Sequence, residues 1–482
     1  MTNTSSALNE AVLAGADPEE LAACPLPDEY RAAFLRTEDQ GIFRSDSGKD
    51  GDKASTKHGP RTKQDKDVRR TIHVGQVPMP ELAPDEVIVA VMAAAVNYNT
   101  VWSATFEPVP TFRFLKDLGR HGGWDARHDR DYQVIGSDAA GVVVRVGSAV
   151  RHWKVGDRVV IAPPVVDEQQ ASAQQDGMLA DQVLAWGFEN NFGAFGDYAV
   201  VRATQLVRKP RHLSWEEAAC NTLCLGTAYR MLISPNGARI KMGDVVLIWG
   251  ATGGLGAYAV QLALRAGAIP VGVVSTAKKA ALLEKLGCQH VINRQEIGFT
   301  DCAPAPGPRP GSGSGSETDS AKGPNEIEQW RALGSAIRKQ VGEDPHVVFE
   351  HVGKQTFGAS VFVARRGGSV VTCGSSTGYA HEYDNRYLWM RLKRIIGSHG
   401  ANYQESAESN RLLELGLVVP TLSRVYPFAD VAQATRAVQL NEHEGKVGVL
   451  CMAPQEGMGI EDPLLRDQIG EDKLRLFRDY VG

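Results

Sequence analysis

The chain is 482 residues long and 43% hydrophobic, with a formal net charge of −5 and a pI near 6.2. That length provides for a large core in two or more domains. The charge excludes a whole-chain attraction for nucleic acid or anionic lipid, so a phosphate-bearing ligand must be held by local donors. The seven cysteines are scattered and odd in number, which speaks against a disulfide framework and for a reducing compartment. Cys220 and Cys224 are the one close pair, a helical turn apart. Without a CxxC or a tetrahedral ligand set they read as small buried residues rather than a metal pair. No stretch approaches the roughly 18 uninterrupted apolar residues of a membrane helix. The N-terminus has no basic stretch leading into an apolar run, so a cytosolic protein is expected.

In chain order, Ser6 to about Leu21 has helical apolar spacing, with Leu8, Val12, Leu13 and Leu21 on the predicted buried face. Arg44 to Arg70 is charged and poor in apolar residues, and is predicted to be an exposed loop. Glu86–Met92, Ala139–Val146, Arg158–Ile161 and Ala199–Val201 read as short strands between Gly, Pro and Asp turns, the pattern of a barrel-like domain. From Val245 strands alternate with helices: Val245–Trp249, a helix from Leu255, Pro270–Val274, and a helix from Ala277. Val347–Glu350, Gly368–Cys373 and Arg394–Ser398 continue the series, which predicts a doubly wound parallel sheet and an α/β fold class. Pro304 to Asn325 is rich in Pro, Gly and Ser and is expected to be a flexible insertion.

The strand at Val245 runs directly into Gly250-Ala251-Thr252-Gly253-Gly254-Leu255-Gly256 and then a helix. Glycines alone often only make a turn, but strand, glycine trio, helix and second strand together point to a dinucleotide site. Gly250, Thr252, Gly253, Gly254, Leu255 and Gly256 would let the pyrophosphate approach the backbone at a helix start, where unpaired N–H groups and the dipole favour it. The second strand ends in Val274-Ser275-Thr276-Ala277-Lys278-Lys279, without the carboxylate that would accept from a ribose 2′-hydroxyl. Ser275 and Lys279 suit a 2′-phosphate instead, so NADPH is the predicted cofactor.

A barrel-like domain before the glycine turn and a Rossmann unit after it resemble the medium-chain dehydrogenase/reductase superfamily. That resemblance implies a GroES-like β-barrel catalytic domain over residues 1–216 and 401–482, and an NADPH-binding Rossmann domain over 217–400. Zinc members carry Gly-His-Glu and a cluster of four cysteines; here the matching stretch is Gly136-Ser137-Asp138, with no cysteine cluster. Without a Lewis acid a simple carbonyl is hard to polarise, whereas an alkene conjugated to a thioester accepts hydride to give a delocalised enolate. Several stretches then resemble the crotonyl-CoA carboxylase/reductase family: Val96-Asn97-Tyr98-Asn99-Thr100-Val101-Trp102, Trp186-Gly187-Phe188-Glu189-Asn190-Asn191-Phe192-Gly193, Val348-Phe349-Glu350-His351, Phe357-Gly358-Ala359-Ser360-Val361 and the run from His381 to Tyr403. The resemblance spans roughly Pro25 to Met458. It implies NADPH-dependent reductive carboxylation of an enoyl-CoA to an alkylmalonyl-CoA such as ethylmalonyl-CoA, in a homotetramer.

Carried over residue by residue, Asn99, Phe188, Glu189 and His399 match the family's CO2 pocket. The Asn99 amide, the Phe188 N–H, and His399 with a water ordered by Glu189 would supply weak donors to CO2. Asn97 lies two residues from Asn99, and the assignment within the pair stays open. Reductase-only relatives place a tyrosine acid after the Asn-containing stretch; Ser103–Pro108 has none, and Phe106 is expected to keep the pocket dry. Arg386 and Tyr387, with Lys393 and Arg394, are candidates for binding CoA. Two departures, Cys224-Leu225-Gly226 in place of Val-Asn-Ser and Gly400 in place of a Phe, leave acyl length open and are compatible with a longer or branched chain. A plain enoyl-CoA or quinone reductase and a non-catalytic, crystallin-like NADPH-binding protein are the alternative readings.

Overall fold

A computed structural model describes residues 6–43, 65–299 and 324–481. The chain divides into two units, Met1–Gly226 with Gly400–Gly482, and Thr227–His399. Among the described residues no helix is long and apolar enough to cross a membrane.

The first unit is organised around the strand Glu86–Val96, whose residues are buried along its whole length. It pairs antiparallel with Ala139–Val146, Tyr198–Arg202 and Lys446–Leu450. Covered on both faces, it shows no apolar–polar alternation, and each buried Val or Ile contributes on the order of 1.5–3 kcal/mol. Gly141 faces it so closely that a Cβ would stand 2.1 Å from the Ala90 carbonyl oxygen. Leu206–Arg208, Arg158–Ile161 and Leu422–Pro427 complete a seven-stranded sheet, and His73–Pro78, Glu29–Arg36 and Tyr132–Val134 form a smaller one.

The second unit holds six parallel strands in the order His290–Asn293, Ile269–Val274, Val245–Ile248, Val347–Glu350, Ser369–Thr372, Arg394–Gly397. The helices Gly254–Arg265, Ala277–Leu286, Pro324–Val341 and Phe357–Val363 alternate with them. The chain reverses its direction of growth at Val245–Ile248, so the carboxyl end of that strand is the switch point where such sheets bind ligands. Both α/β character and the parallel sheet agree with the sequence.

Several expectations change. The N-terminal helix is two helices, Ala7–Ala14 and Pro18–Ala23, because Gly15 takes a left-handed φ of 70° and Asp17 starts a new cap. Leu13 is therefore 38% exposed while Leu8, Val12 and Leu21 are buried. Of the expected loop at 44–70, residues 44–64 lie outside the described residues, but Val68–Arg70 form a 3-10 turn with Val68 fully buried. Of the expected insertion, 304–323 lie outside the described residues, and a helix already begins at Pro324, a residue whose fixed φ suits a first turn. Residues 217–226 go with the first unit, since the Thr222 hydroxyl and the Leu223 N–H both donate to Asp138. Cys220 caps the helix Trp215–Ala219 and Cys224 lies in the next helix, Thr222–Leu232, so the two are not on one helical turn.

Candidate active site

In the first unit the register Ala94↔Ala139 sets the end of one strand beside the start of the other, so Asn97–Asn99 meets Gly136–Asp138. Asp138 is fully buried. One oxygen accepts from Lys446 Nζ at 3.0 Å and Asn97 Nδ2 at 2.9 Å; the other accepts from Thr222 Oγ1 at 2.6 Å and Leu223 N at 2.8 Å. Lys446 also donates to Asn97 Oδ1 and to the Val96 carbonyl. Burial pulls the Lys446 ammonium down, but the Asp138 carboxylate outweighs it and holds it above the usual lysine range. The Cys224 thiol, pushed up by its own burial, donates to Asn97 Oδ1 at 3.7 Å.

Asn97 is thus engaged at both ends of its amide. Asn99 Nδ2 donates to Ser137 Oγ at 2.8 Å, and its Oδ1 is buried without a hydrogen-bond partner. On the same helix, Tyr98–Thr105, Trp102 packs against Tyr98 and, at 6.3 Å between ring centroids, against Phe188. Phe114 also packs against Phe188, at 6.1 Å between ring centroids.

The Phe188 loop is held by glycine and asparagine. Gly187 has φ 69°, and a Cβ there would stand 1.9 Å from the Gly136 carbonyl oxygen, so only glycine lets the loop lie on that peptide. Asn191 Oδ1 accepts from the Val134 and Phe192 N–H groups, and its amide donates to Tyr132 O. Gln133 Nε2 ties the Phe188 and Asn190 carbonyls. His128 Nδ1 accepts from Asn191 N at 3.3 Å; burial, with the charges of Arg127 and Arg202, pushes this imidazole down to about 3. His128 is therefore neutral and serves the loop as an acceptor.

One expectation is corrected here. The Phe188 N–H donates to Ala185 O at 3.1 Å, closing a turn, and so is not an open donor. Phe106 caps its helix in a left-handed conformation and packs in the core against Phe112. Glu189 Oε2 accepts from Ala185 N at 2.7 Å, which fixes the carboxylate beside Phe188.

In the second unit the glycine turn has the geometry that a pyrophosphate requires. Gly250 has φ 55°, and a Cβ on Gly256 would come within 2.3 Å of the Gly250 oxygen, so helix and strand meet closely. Gly253 caps the helix Gly254–Arg265, Thr252 is buried beneath it, and Leu255 is half-buried in its first turn. The N–H groups of Gly254, Leu255 and Gly256 belong to that first turn and have no carbonyl within the helix to meet. Ser275 follows the second strand, half-buried, and the Thr276 hydroxyl accepts from Lys279 N to cap the next helix. No carboxylate stands at that strand end, so the residues fit a 2′-phosphorylated dinucleotide.

Sequence reasoning missed the brace under this turn. Trp249 Nε1 donates to Ser360 Oγ at 2.8 Å, which donates to Glu350 Oε2 at 2.6 Å. Glu350 Oε1 accepts from Val352 N, Gly353 N and Thr356 Oγ1. Burial pushes Glu350 up, against the pull of these donors. His351 Nε2 donates to the Trp249 carbonyl at 2.9 Å, and its ring lies 3.2 Å from where a Gly250 Cβ would stand. A glutamate closing an apolar strand was the available clue.

Two known domain families match: the alcohol dehydrogenase GroES-like domain over residues 83–211 and zinc-binding dehydrogenase over residues 327–449. The chain is 47% identical over 461 residues to a crotonyl-CoA reductase of Streptomyces avermitilis, 95% of this chain and 96% of that one. The chain belongs to the crotonyl-CoA carboxylase/reductase family. A crotonyl-CoA carboxylase/reductase of Cereibacter sphaeroides is 37% identical over 393 residues, 81% of this chain and 86% of that one. A solved 2-octenoyl-CoA carboxylase reductase in complex with NADP and 2-octenoyl-CoA is similar with a TM-score of 0.89 and 54% identity, over 98% of this chain and 99% of that one.

The family's other expected positions fare unevenly. His399 is exposed at the end of the second unit, two residues beyond the strand Arg394–Gly397. Arg386 is exposed but paired with Asp384 at 2.7 Å. The Tyr387 ring meets Phe362 edge-on at 4.8 Å, and Lys393 Nζ donates to the Val361 and Phe362 carbonyls, so both brace the unit from within. Arg394 stays exposed. The departures are accommodated locally. Gly226 sits where a Cβ would be 3.1 Å from the Ala401 Cβ, and Gly400 has φ 55°, a conformation a phenylalanine rarely adopts.

Proposed function

We propose that the chain reduces a 2-enoyl-CoA with NADPH and adds CO2 to C2, giving an alkylmalonyl-CoA. The observation that carries this is the Asn99 amide, half-buried one helical turn before Trp102, which packs on Phe188, and with an oxygen that lacks a partner. An amide can donate a hydrogen bond to the partly negative oxygens of CO2, yet it is far too weak an acid to protonate a carbanion. The Trp102, Phe188 and Phe114 rings, clustered from the next turn of the same helix, disfavour water, which would quench the enolate. NADPH, held over Gly250–Gly256 with its 2′-phosphate near Ser275 and Lys279, supplies the hydride to C3. Glu189, and His399 by family resemblance, complete the proposed CO2 contacts, with Arg386 at its exposed position as the proposed CoA contact.

The similarity to the 2-octenoyl-CoA enzyme, with glycine at 226 and 400, supports a medium-length acyl chain. The assay follows NADPH oxidation with crotonyl-CoA and 2-octenoyl-CoA, with and without bicarbonate plus carbonic anhydrase, and weighs the products. Alkylmalonyl-CoA is expected, with octenoyl-CoA the faster substrate. Saturated acyl-CoA alone at saturating CO2 overturns the carboxylation. A homo-oligomer is also proposed: Arg394–Gly397 is an edge strand, with Trp389, Met390, Leu392 and Ile395 exposed along it. Light scattering that gave a monomer mass would refute that.

A further inference from the structure

We propose that Ser137 is a positioning residue that sets which end of the Asn99 amide meets CO2. The inference rests on the reading of Asn99 as a CO2 contact. Ser137 is buried, and among the described residues its hydroxyl bonds only to Asn99. With Nδ2 donating to Ser137 Oγ at 2.8 Å, Asn99 Oδ1 faces a buried place with nothing to accept from. The two ends of an amide have nearly the same shape, so a half-turn about the last side-chain bond keeps every heavy-atom distance. It brings Oδ1 to Ser137 Oγ, whose hydrogen swings round to donate, and turns the NH2 to the unpartnered place. A hydroxyl is the group that serves both states, accepting in one and donating in the other. The first strands a carbonyl; the second presents a donor to a ligand whose oxygens only accept.

Ser137 can impose this because its own backbone is held on both sides. Asp138, next in the chain, is tied to Lys446, Asn97 and Thr222, and its carbonyl accepts from Ala95 N at 3.1 Å. Gly136, before it, lies under Gly187, and its carbonyl accepts from Ala194 N at 2.9 Å. Asp138 cannot take over the task, since both its oxygens are engaged. In the matching Gly-His-Glu stretch of zinc relatives, the serine stands at the histidine that holds the metal. The position that carried a Lewis acid's ligand would here orient an amide.

The test compares Asn99→Ala, Ser137→Ala, Ser137→Thr and the unaltered enzyme. The readouts are the ratio of carboxylated to reduced product against CO2 concentration, and NADPH affinity by fluorescence. Ser137→Ala is expected to raise the CO2 concentration for half-maximal carboxylation about 5-fold, the weight of one hydrogen bond. NADPH affinity should hold, and Ser137→Thr, which keeps the hydroxyl, should restore the ratio. If Asn99→Ala loses carboxylation while Ser137→Ala keeps the original ratio and CO2 dependence, the clamp is wrong and the Asn99 reading stands. If Asn99→Ala also keeps the original ratio, both fall together. Should Ser137→Ala not fold, Ser137→Cys, a similar shape with a much weaker donor, is expected to show the same loss, and an unchanged ratio overturns the proposal.

Discussion

Each unit buries one carboxylate beside the turn that does its work, and the two are satisfied in different ways. Asp138 is matched by a cation, Lys446, which lies 308 residues further along the chain. Glu350 has only neutral donors, and Val352, Gly353, Thr356 and Ser360 all lie within 10 residues of it. In the first unit a charge pair locks distant strands and so places Asn97, Ser137 and Asn99. In the second a local staple holds a backbone turn, whose peptide groups are the proposed contacts of the dinucleotide. Long-range pairing leaves the chemistry to side chains; local stapling leaves it to the main chain.

The strongest way to break this comparison is to remove Lys446. Lys446→Met strands a buried carboxylate and is expected to cost about 3–5 kcal/mol in urea unfolding, with Asp138→Asn in the same chain recovering most of it. Glu350→Gln keeps the size and one acceptor oxygen and should cost about 1 kcal/mol. Equal losses from the two would show that the cation is not what distinguishes them.

A smaller effect comes with pH. His128 and His212 are pushed by burial to about 3 and about 4. Their folded values lie below the unfolded value of 6.5, so the unfolded chain binds protons first. The stability they contribute is whole above that pH and is lost as pH falls from there towards 3. Each adds a slope of up to about 1.4 kcal/mol per pH unit. His128→Phe should flatten the acid limb by one histidine's share, as urea midpoints between pH 7 and pH 5 would show. A slope unchanged by the substitution would mean that His128 is not buried neutral under the Phe188 loop.

The sequence alone determined whatever depends on neighbours in the chain. Ile248 through Gly256 reads as strand, tight turn and helix because those residues act on one another, and the absence of an acid after Val274 is visible without a fold. The parallel sheet followed from alternation, and the family stretches are themselves unbroken runs. Only the tertiary structure decided which asparagine keeps an unpartnered oxygen, since Asn97 and Asn99 differ through Asp138, Lys446 and Ser137, which strand register brings to them. The same holds for Phe106 in the core, the Phe188 N–H closed in its turn, and Tyr387 and Lys393 turned inward. A side chain's free donors are what remain after its distant neighbours have taken theirs, and a linear pattern carries no record of those neighbours.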